Sequence, residues 1–287
     1  MNKITIQVIS DIHLEFYNSY PKIKPLAKYL FLAGDIGTIS NKYDLKVKNF
    51  LSYCSDYWEK TFYVLGNHEF YQTEEFAHQK TSFEELEIKY KEICSELPNV
   101  YLLDNSFQEI EPGINVYGTT LWTSYEISKK NLMKHGETRI EDELNDFNMI
   151  AIKPDYNYKY NVLLTKEYVN SKSKTQLDEL DKYLNNNSNN PNTKTIILTH
   201  FPPIRQGSSN PIYSSQPEYL ANYFSWNNIY SKLPLSNVVG WISGHTHWSY
   251  DLNIDNVRYI SNQIGYKNEC AIGKTNFEPE KIFEINY

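Results

Sequence analysis

The chain has 287 residues, of which 40% are hydrophobic and 22% charged, and its formal net charge is −7. This composition is typical of a folded globular protein, and it excludes a broad basic surface for a nucleic-acid backbone and an apolar run of the roughly 18 residues that span a membrane. The amino terminus shows no signal-peptide core, and three widely spaced cysteines predict reduced thiols, so we expect a cytoplasmic protein.

The first half of the chain alternates predicted strands and helices. Alternating apolar and polar residues predict a strand at 4–10, and short apolar segments predict strands at 29–33, 62–65, 100–103 and 114–119. Helical spacing of apolar residues predicts one helix between about 45 and 58 and another from Phe83 to Leu97. Ser82 and Glu85 form a capping box at the start of the second helix, and Pro98 ends it.

The second half begins with a polar, tyrosine-rich stretch at 124–161. Its pattern fits either an insertion or cap over a site, or an ordinary surface loop. Apolar patterning then predicts helices at 165–184 and 215–233, and strands at 195–199, 238–243, 258–261 and 281–285. The asparagine-rich segment 185–192 is interpreted as a loop. With no linker or repeat, this order predicts one α/β domain over residues 1–287.

A group of acidic, amide and imidazole side chains follows the carboxyl ends of predicted strands. In chain order they are Asp11, His13, Asp35, Asn67, His68, His200, His245 and His247. Open α/β sheets carry their sites at this edge, so we expect these side chains to meet. Such ligands, without a thiolate, suit Zn²⁺, Mn²⁺ or Fe, and they are too many for one ion. Two ions roughly 3.5–4 Å apart, sharing a bridging carboxylate, can hydrolyse a phosphoester.

Each motif has a plainer explanation when taken alone. Asp-x-His after a strand is usually a turn with a surface histidine, and Gly-Asp is a common turn pair. The run from Gly66 to Glu69 would equally cap a helix, with Glu69 as a structural or surface charge. His78 and His135 match no motif and are interpreted as surface residues. Five motifs in one order are jointly improbable as turns, which favours the metal site.

The motifs resemble those of the calcineurin-like metallophosphoesterase superfamily, in particular an uncharacterised branch of predicted phosphohydrolases. The similar segments are 11–15, 34–35, 66–69, 118–122, 145–147, 200, 244–247 and 265–266. The resemblance implies a metal-dependent phosphoric ester hydrolase with an αββα fold, a four-layer sandwich of two mixed β-sheets flanked by helices. The chain departs from the longer Gly-Asp-x-x-Asp pattern of some branches, so nothing beyond Asp35 is carried over from that motif.

The resemblance also implies a role for each residue of the group. A first ion would be held by Asp11, His13 and His247. A second ion would be held by Asn67, His200 and His245. Asp35 would bridge the two ions, and a metal-bridging hydroxide would be the nucleophile. His68 would bind no metal and would act near the leaving oxygen, as a general acid or as a positive group.

The sequence defines the substrate less sharply than the site. Near the strand ends, Arg205 could pair with a phosphate, and Tyr71 and Trp122 could stack on a base. Core packing or a solvated charge is the alternative for each of them. We expect a small phosphomonoester or phosphodiester, with a nucleotide as one form, and neither a long nucleic acid nor a membrane as partner.

Two other classes of protein stay open at this stage. A nuclease-type phosphodiesterase on the same scaffold would lose activity steeply with salt when it acts on a polynucleotide. A non-catalytic interaction protein would be expected to have lost metal ligands, and none is missing from the motifs.

Overall fold

The computed structural model describes residues 3–39, 44–124, 140–154, 160–188, 192–271 and 273–287. Within these residues the strands are β1 (Lys3–Ile9), β2 (Tyr29–Leu32), β3 (Lys60–Tyr63), β4 (Val100–Leu102), β5 (Ser106–Glu111), β6 (Ile114–Thr119), β7 (Ala151–Ile152), β8 (Val162–Leu163), β9 (Lys194–Thr199), β10 (Val238–Ile242), β11 (Tyr250–Ile254), β12 (Val257–Ser261) and β13 (Phe283–Asn286). The α-helices are α1 (Asp44–Tyr57), α2 (Phe83–Ser95), α3 (Ile140–Glu143), α4 (Asp146–Met149), α5 (Lys166–Ser188), α6 (Glu218–Phe224) and α7 (Lys267–Ala271).

Two β-sheets form the centre of the fold. The first has the strand order β13-β1-β2-β3-β4, in which β1 to β4 are parallel and β13 is antiparallel to β1. The second has the order β11-β12-β10-β9-β6-β5, with four parallel central strands and an antiparallel strand at each edge. In both sheets the carboxyl ends of the central parallel strands lie at the same end of the sandwich, and the predicted site residues follow these strands.

The sheets pack face to face, and helices cover their outer faces. Side chains such as Val8, Phe31 and Ile196 form the apolar layer between the sheets. The helices α1 and α2 pack on the outer face of the first sheet, and α5 packs on the outer face of the second. Central strands such as β2 and β9 have nearly continuous apolar sequences because they are buried on both faces. The predicted αββα sandwich of two mixed sheets is confirmed.

The capping box at the start of α2 is also confirmed. The Ser82 hydroxyl accepts a hydrogen bond from the backbone N–H of Glu85, and the Glu85 carboxylate accepts one from the backbone N–H of Ser82. Each residue thus satisfies a donor that the first helical turn would leave unpaired. By contrast, the edge strands β5 and β11 are absent from the sequence prediction, because most of their side chains are solvent-exposed or only partly buried and their apolar pattern is faint.

Two predicted boundaries are wrong. In place of the helix expected at 215–233, the structure has only α6 and a later 3₁₀ turn. The helix stops because Ser225 is extended and Asn228 is left-handed, and the backbone N–H of Trp226 donates to the carbonyl oxygen of Pro202. The loop expected at 185–192 begins later, since α5 continues to Ser188, and residues 189–191 lie outside the described residues. There the side-chain amides of Asn185 and Asn187 each donate to a backbone carbonyl one helical turn earlier.

The stretch at 124–161 is described in part, since 125–139 and 155–159 lie outside the described residues. Its described portion contains α3, α4 and the strand β7, which pairs with β8. Buried side chains of this portion, including Phe147 and Ile150, join the apolar layer on the α1 and α2 side of the first sheet. Among the described residues, no helix is long and apolar enough to cross a membrane.

Candidate metal centre

All eight predicted site residues follow the carboxyl ends of parallel strands, at the same end of the two packed sheets. The loops after β1, β2 and β3 of the first sheet carry five of them, and the loops after β9 and β10 of the second sheet carry three. Close packing of these loops requires glycine at one point in particular. A Cβ on Gly66 would lie 2.2 Å from the Asp35 carboxylate, so no larger residue fits there.

The backbone at the site is unusual. Positive φ angles occur at Asp11, His13, Asp35, His245 and His247. Left-handed conformations are uncommon for residues other than glycine, and they gather at functional sites where the surrounding structure holds them. Because the chain leaves β10 at Ile242 and both His245 and His247 are left-handed, these two histidines do not lie on one extended segment.

One cluster of ligand atoms brings together Asp11, His13 and His247, whose donor atoms lie within 4.8 Å of one another. His13 Nε2 is 2.9 Å from His247 Nε2, and His247 Nε2 is 3.6 Å from Asp11 Oδ1. Asp11 and His13 are fully buried. These are the three residues that the resemblance implied for a first ion.

A second cluster is formed by Asp35, Asn67, His200 and His245. His200 Nε2 lies 3.1 Å from Asn67 Oδ1, 3.1 Å from His245 Nδ1 and 3.5 Å from Asp35 Oδ1. The other oxygen of Asp35, Oδ2, lies 3.9 Å from His13 Nε2 in the first cluster. Asp35 therefore lies between the two clusters, with one carboxylate oxygen toward each.

In the second cluster, two ligand atoms that face each other both lack a hydrogen. His200 Nδ1 lies 2.8 Å from the Ala33 carbonyl oxygen, which can only accept, so Nδ1 carries the proton and Nε2 presents a lone pair. The Asn67 side-chain nitrogen donates to Asp146, so Oδ1 is the end that faces His200. Two acceptors thus face each other at 3.1 Å. A cation between them would satisfy both, and the site fits a divalent ion.

The same reasoning holds for the first cluster. His13 Nδ1 lies 3.2 Å from a Glu15 oxygen, and His247 Nδ1 lies 2.6 Å from a Glu269 oxygen. When each neutral ring donates its Nδ1 hydrogen to its carboxylate, both Nε2 atoms present lone pairs to each other. A carboxylate behind a histidine is the usual way in which proteins orient a metal-binding imidazole.

Burial favours the neutral form of three histidines, His13, His200 and His245. Burial lowers the pKa of His200 to about 3, and burial lowers the pKa values of His13 and His245 well below the ordinary value. Burial acts in the opposite direction on the carboxyls. It raises the pKa of Asp11 to about 6, and together with the nearby charge of Glu69 it raises the pKa of Asp35 well above its ordinary value. Bound cations would reverse this preference for protonated carboxyls.

Divalent ions are therefore expected to displace protons from the two buried carboxyls and not from the three imidazoles whose pKa values burial lowers. At about pH 5, below the Asp11 pKa of about 6, Asp11 holds a proton in the metal-free protein and His200 holds none, so ion binding should release about one proton from Asp11, and the raised pKa of Asp35 favours release of a second. Because ions compete with these protons, affinity should rise as the pH increases through the Asp11 pKa of about 6. Calorimetric titrations in buffers of different ionisation enthalpy count the protons. Release of none, or of four or more, would contradict this assignment.

His68 lies beside the two clusters. Its Nδ1 is 3.0 Å from the same Glu15 oxygen that contacts His13, and its Nε2 is 3.2 Å from the hydroxyl of Tyr266. The ring stacks on Tyr71, with centroids 4.1 Å apart. Although burial opposes it, hydrogen bonding with the two histidines lowers the pKa of Glu15, so this carboxylate is ionised and accepts from both rings.

Glu69 holds the loops after β2 and β3 together. One oxygen of its buried carboxylate accepts the backbone N–H groups of Asp35 and Gly66, at 3.0 and 2.7 Å. The other accepts the backbone N–H of Ile36 and the hydroxyl of Tyr63, both at 2.7 Å. Four donors converge on one side chain, so Glu69 supports the structure, as the sequence favoured over a catalytic role.

Replacing Glu69 with glutamine should lower the free energy of unfolding by about 3 kcal/mol, because the new NH₂ group would face backbone donors and leave them unsatisfied. The matched control is Glu59→Gln, which removes a surface ion pair with Lys28 (3.1 Å) and should cost less than about 1 kcal/mol. Urea denaturation measures both variants. Equal stability of the two variants would show that the four hydrogen bonds of Glu69 are dispensable.

A cavity of about 340 Å³ opens beside the two clusters. Its lining includes Asp35, Asn67, His68, His245 and His247 from the predicted group. The remaining described residues of the lining are neutral polar groups, aromatic rings, Leu144 and two acids, Glu143 and Glu269. Tyr71, one of the three side chains proposed to bind substrate, lines this cavity, and so does Tyr213.

The other two predicted substrate contacts lie elsewhere. The Trp122 ring is buried and packs against Phe70, Phe83 and Phe201, which corresponds to the core-packing alternative. The Arg205 guanidinium donates to the side chain of Asn222 and is not among the described residues of the cavity lining. Of the two histidines without a motif, His78 is exposed as predicted, and His135 lies outside the described residues.

Several residues near the clusters were not singled out from the sequence. They are Glu15, Asp146, Tyr223, Tyr266 and Glu269. Glu15, Asp146 and Tyr266 do lie in segments that resemble the phosphohydrolase branch, so a signal was present for them. No comparable signal exists for Glu269, which reaches His247 only through the tertiary fold.

An αββα sandwich that gathers carboxylate, amide and imidazole side chains at its strand ends is the arrangement expected of a metallophosphoesterase. The chain belongs to the calcineurin-like phosphoesterase family, whose model matches residues 4–249. It is accordingly a metal-dependent phosphoric ester hydrolase, and the resemblance drawn from the motifs is confirmed.

The chain is also similar to a known viral protein and to several solved structures. An uncharacterized protein of Acanthamoeba polyphaga mimivirus is 29% identical over 295 residues, which cover 98% of this chain and 96% of that protein. The solved structure of a phosphopantetheinyl hydrolase from Mycobacterium tuberculosis has a TM-score of 0.64 at 18% identity, covering 95% of this chain and 93% of the other. A dimetal phosphatase from Danio rerio has a TM-score of 0.51 at 14% identity, covering 91% and 87%. The structural likenesses show the shared fold.

Proposed function

We propose that the protein hydrolyses a small phosphomonoester or phosphodiester at a centre of two divalent metal ions. The first ion is assigned to Asp11, His13 and His247. The second ion is assigned to Asn67, His200 and His245, with Asp35 shared between them. The observation that carries the proposal is the pair of ligand clusters joined by the two oxygens of Asp35. When bound, such ions supply Lewis acidity and an activated water for attack on phosphorus.

His68 is proposed as the group that assists the leaving oxygen. Its Nδ1 hydrogen is accepted by Glu15, which leaves Nε2 toward Tyr266 in the cavity lining. A protonated His68 can donate its Nε2 hydrogen to the oxygen that departs from phosphorus, or it can stabilise the charge developing there. Stacking on Tyr71 holds the ring in this orientation.

The volume and lining of the cavity favour a small substrate whose organic group is uncharged. Its volume of about 340 Å³ lies in the range of small-molecule sites. Glu143 and Glu269 in its lining would repel a second phosphate, whereas Gln216 and Asn145 offer neutral hydrogen bonds and Tyr213 offers a ring. A long nucleic acid is disfavoured for the same reason, and the net charge of −7 acts in the same direction.

A metal-reconstituted substrate screen tests this function. Metal-free protein is loaded in parallel with Mn²⁺, Zn²⁺ or Fe²⁺, which are the three ions that the ligand set favours. Each form is assayed on a generic phosphomonoester, a generic phosphodiester, nucleotides, a single-stranded polynucleotide and a phosphopantetheinyl conjugate, the last because a structural neighbour is a hydrolase of that name. We expect metal-dependent turnover of small esters. Preferential, salt-sensitive cleavage of the polynucleotide would favour a nuclease instead.

A further inference from the structure

Asp146 lies on the short helix α4, within the stretch that has little pattern in the sequence. Its side chain is fully buried. Its carboxylate accepts hydrogen bonds from the side chains of Asn67, Tyr71 and Tyr223, all of which line the cavity. A buried carboxylate is costly unless it is well paired. Its partners are Asn67 of the second ligand cluster and two tyrosines whose hydroxyls lie 3.2 and 3.3 Å from the Asn67 amide nitrogen.

These hydrogen bonds fix the direction of the Asn67 amide. Its Nδ2 lies 2.9 Å from Asp146 Oδ1, 3.2 Å from the Tyr71 hydroxyl and 3.3 Å from the Tyr223 hydroxyl. Both hydroxyls donate their own hydrogens to Asp146, so toward Asn67 they can only accept. Three acceptors therefore surround one end of the amide, and only its NH₂ end fits among them. The oxygen Oδ1 must point the other way, toward His200.

We propose that Asp146 is a positioning residue that presents the Oδ1 of Asn67 to the second metal ion. The inference rests on the proposed function, because it takes Asn67 as a ligand of that ion. A reversed amide would direct N–H hydrogens at the cation and remove one of its ligands. Groups that orient a metal ligand typically change metal affinity by about 10–100-fold.

The same carboxylate connects the second ion with the wall of the substrate cavity. Asn145, directly before Asp146, lines the cavity together with Leu144. Tyr71, which donates to Asp146, also stacks on His68 at a centroid distance of 4.1 Å. The part of the 124–161 stretch that the structure describes thus supports a proposed ligand from behind, in addition to forming a wall.

Calorimetric titration of metal-free protein with Mn²⁺ measures the two ions separately. Asp146→Ala is expected to weaken the second ion by about 10–100-fold and to leave the first unchanged. The isosteric Asp146→Asn variant offers the three donors one acceptor oxygen, where Asp146 offers two. We expect it to lower the affinity for the second ion by about tenfold. Phe147→Leu alters the apolar side of the same helix and is the matched control, for which two tightly bound ions are expected.

The same Asp146→Ala replacement, made in an Asn67→Asp variant, distinguishes a role in orienting the amide from a general structural role. The carboxylate introduced by Asn67→Asp does not have to be oriented, because it presents an oxygen to the metal ion whichever way it is turned. Once Asp146 is replaced by alanine, the rear oxygen of Asn67→Asp can accept the hydrogens that the Tyr71 and Tyr223 hydroxyls had donated to Asp146, since these hydroxyls are 3.2 and 3.3 Å from the atom that it replaces. In this background Asp146→Ala should therefore cost no further affinity for the second ion.

Three results decide the inference. Equal losses from Asp146→Ala in both backgrounds would overturn it, and so would Asp146 variants that bind both ions as tightly as the unmodified protein. A loss confined to the Asn67 background supports it. A failure of the proposed function is distinguishable, since the unmodified protein would then bind fewer than two ions.

Discussion

Replacing Asp35 with alanine is expected to lower kcat/KM by about a thousand-fold or more and to leave fewer than two bound ions per chain. Its two carboxylate oxygens face different clusters, at 3.5 Å from His200 Nε2 and 3.9 Å from His13 Nε2. No other side chain among the described residues bridges the clusters in this way. The loss of Asp35 would therefore weaken both ions at once and remove the charge that holds them close together.

The matched control for Asp35 is Asp251→Ala. Asp251 forms a surface ion pair with Arg258 at 2.7 Å, remote from the ligand clusters, so its removal should leave turnover and metal content unchanged. Turnover is measured with saturating metal, and bound metal is counted by elemental analysis after gel filtration. If Asp35→Ala kept two ions and ordinary turnover, the assignment of a bridging carboxylate would be wrong.

Replacing His68 with asparagine should lower kcat by about 10²–10⁴-fold while both ions stay bound. The ring contacts Glu15 and the hydroxyl of Tyr266. Its donor atom lies within 4.8 Å of donor atoms of His13 and Glu15, but it is outside the two ligand clusters described above. Removal of a general acid matters most for substrates whose leaving group is a poor one. The defect should therefore shrink as the pKa of the leaving alcohol falls, which a series of aryl esters would measure.

A useful comparison for His68 is His78→Asn. His78 is exposed and lies away from the ligand clusters, so this variant should behave as the unmodified protein in both assays. Loss of metal from the His68 variant, to the degree seen for a ligand variant such as His247→Ala, would show that the division between ligands and proton donor is mistaken. A defect that is independent of the leaving group would also contradict the acid role.

The layout of the fold was predictable because buried parallel strands carry continuous apolar runs. Strands such as β2 and β9 are recognised in this way, and the polar residue that ends each one then marks the site. Edge strands carry less information. Most side chains of β11 are exposed or only partly buried, so its apolar pattern is faint, although the left-handed pair Asp255 and Asn256 makes the turn of a two-residue hairpin.

The ligand clusters themselves were predictable because each lies directly after a strand. The carboxylates that hold the ligands from behind were harder to predict, because Glu269 and Asp146 reach their partners through the tertiary fold. Asp146 at least lies in a segment that resembles the family, whereas Glu269 has no such signal. Proximity in sequence was also misleading for Arg205, which is five residues beyond His200 but turns toward Asn222. Likewise Tyr71 and Trp122 both follow strands, yet only Tyr71 reaches the cavity, because the Trp122 ring is enclosed by other aromatic rings.

The central claim is that each ligand cluster binds one metal ion and that the two ions share Asp35. Anomalous diffraction from crystals grown with Mn²⁺ tests it directly. Two anomalous peaks are expected roughly 3.5–4 Å apart, the spacing of two-metal centres, with one oxygen of Asp35 at each ion. The first should contact Asp11, His13 and His247, and the second should contact Asn67, His200 and His245. A single peak, or a pair of peaks that leaves Asp35 unbound, would contradict the account.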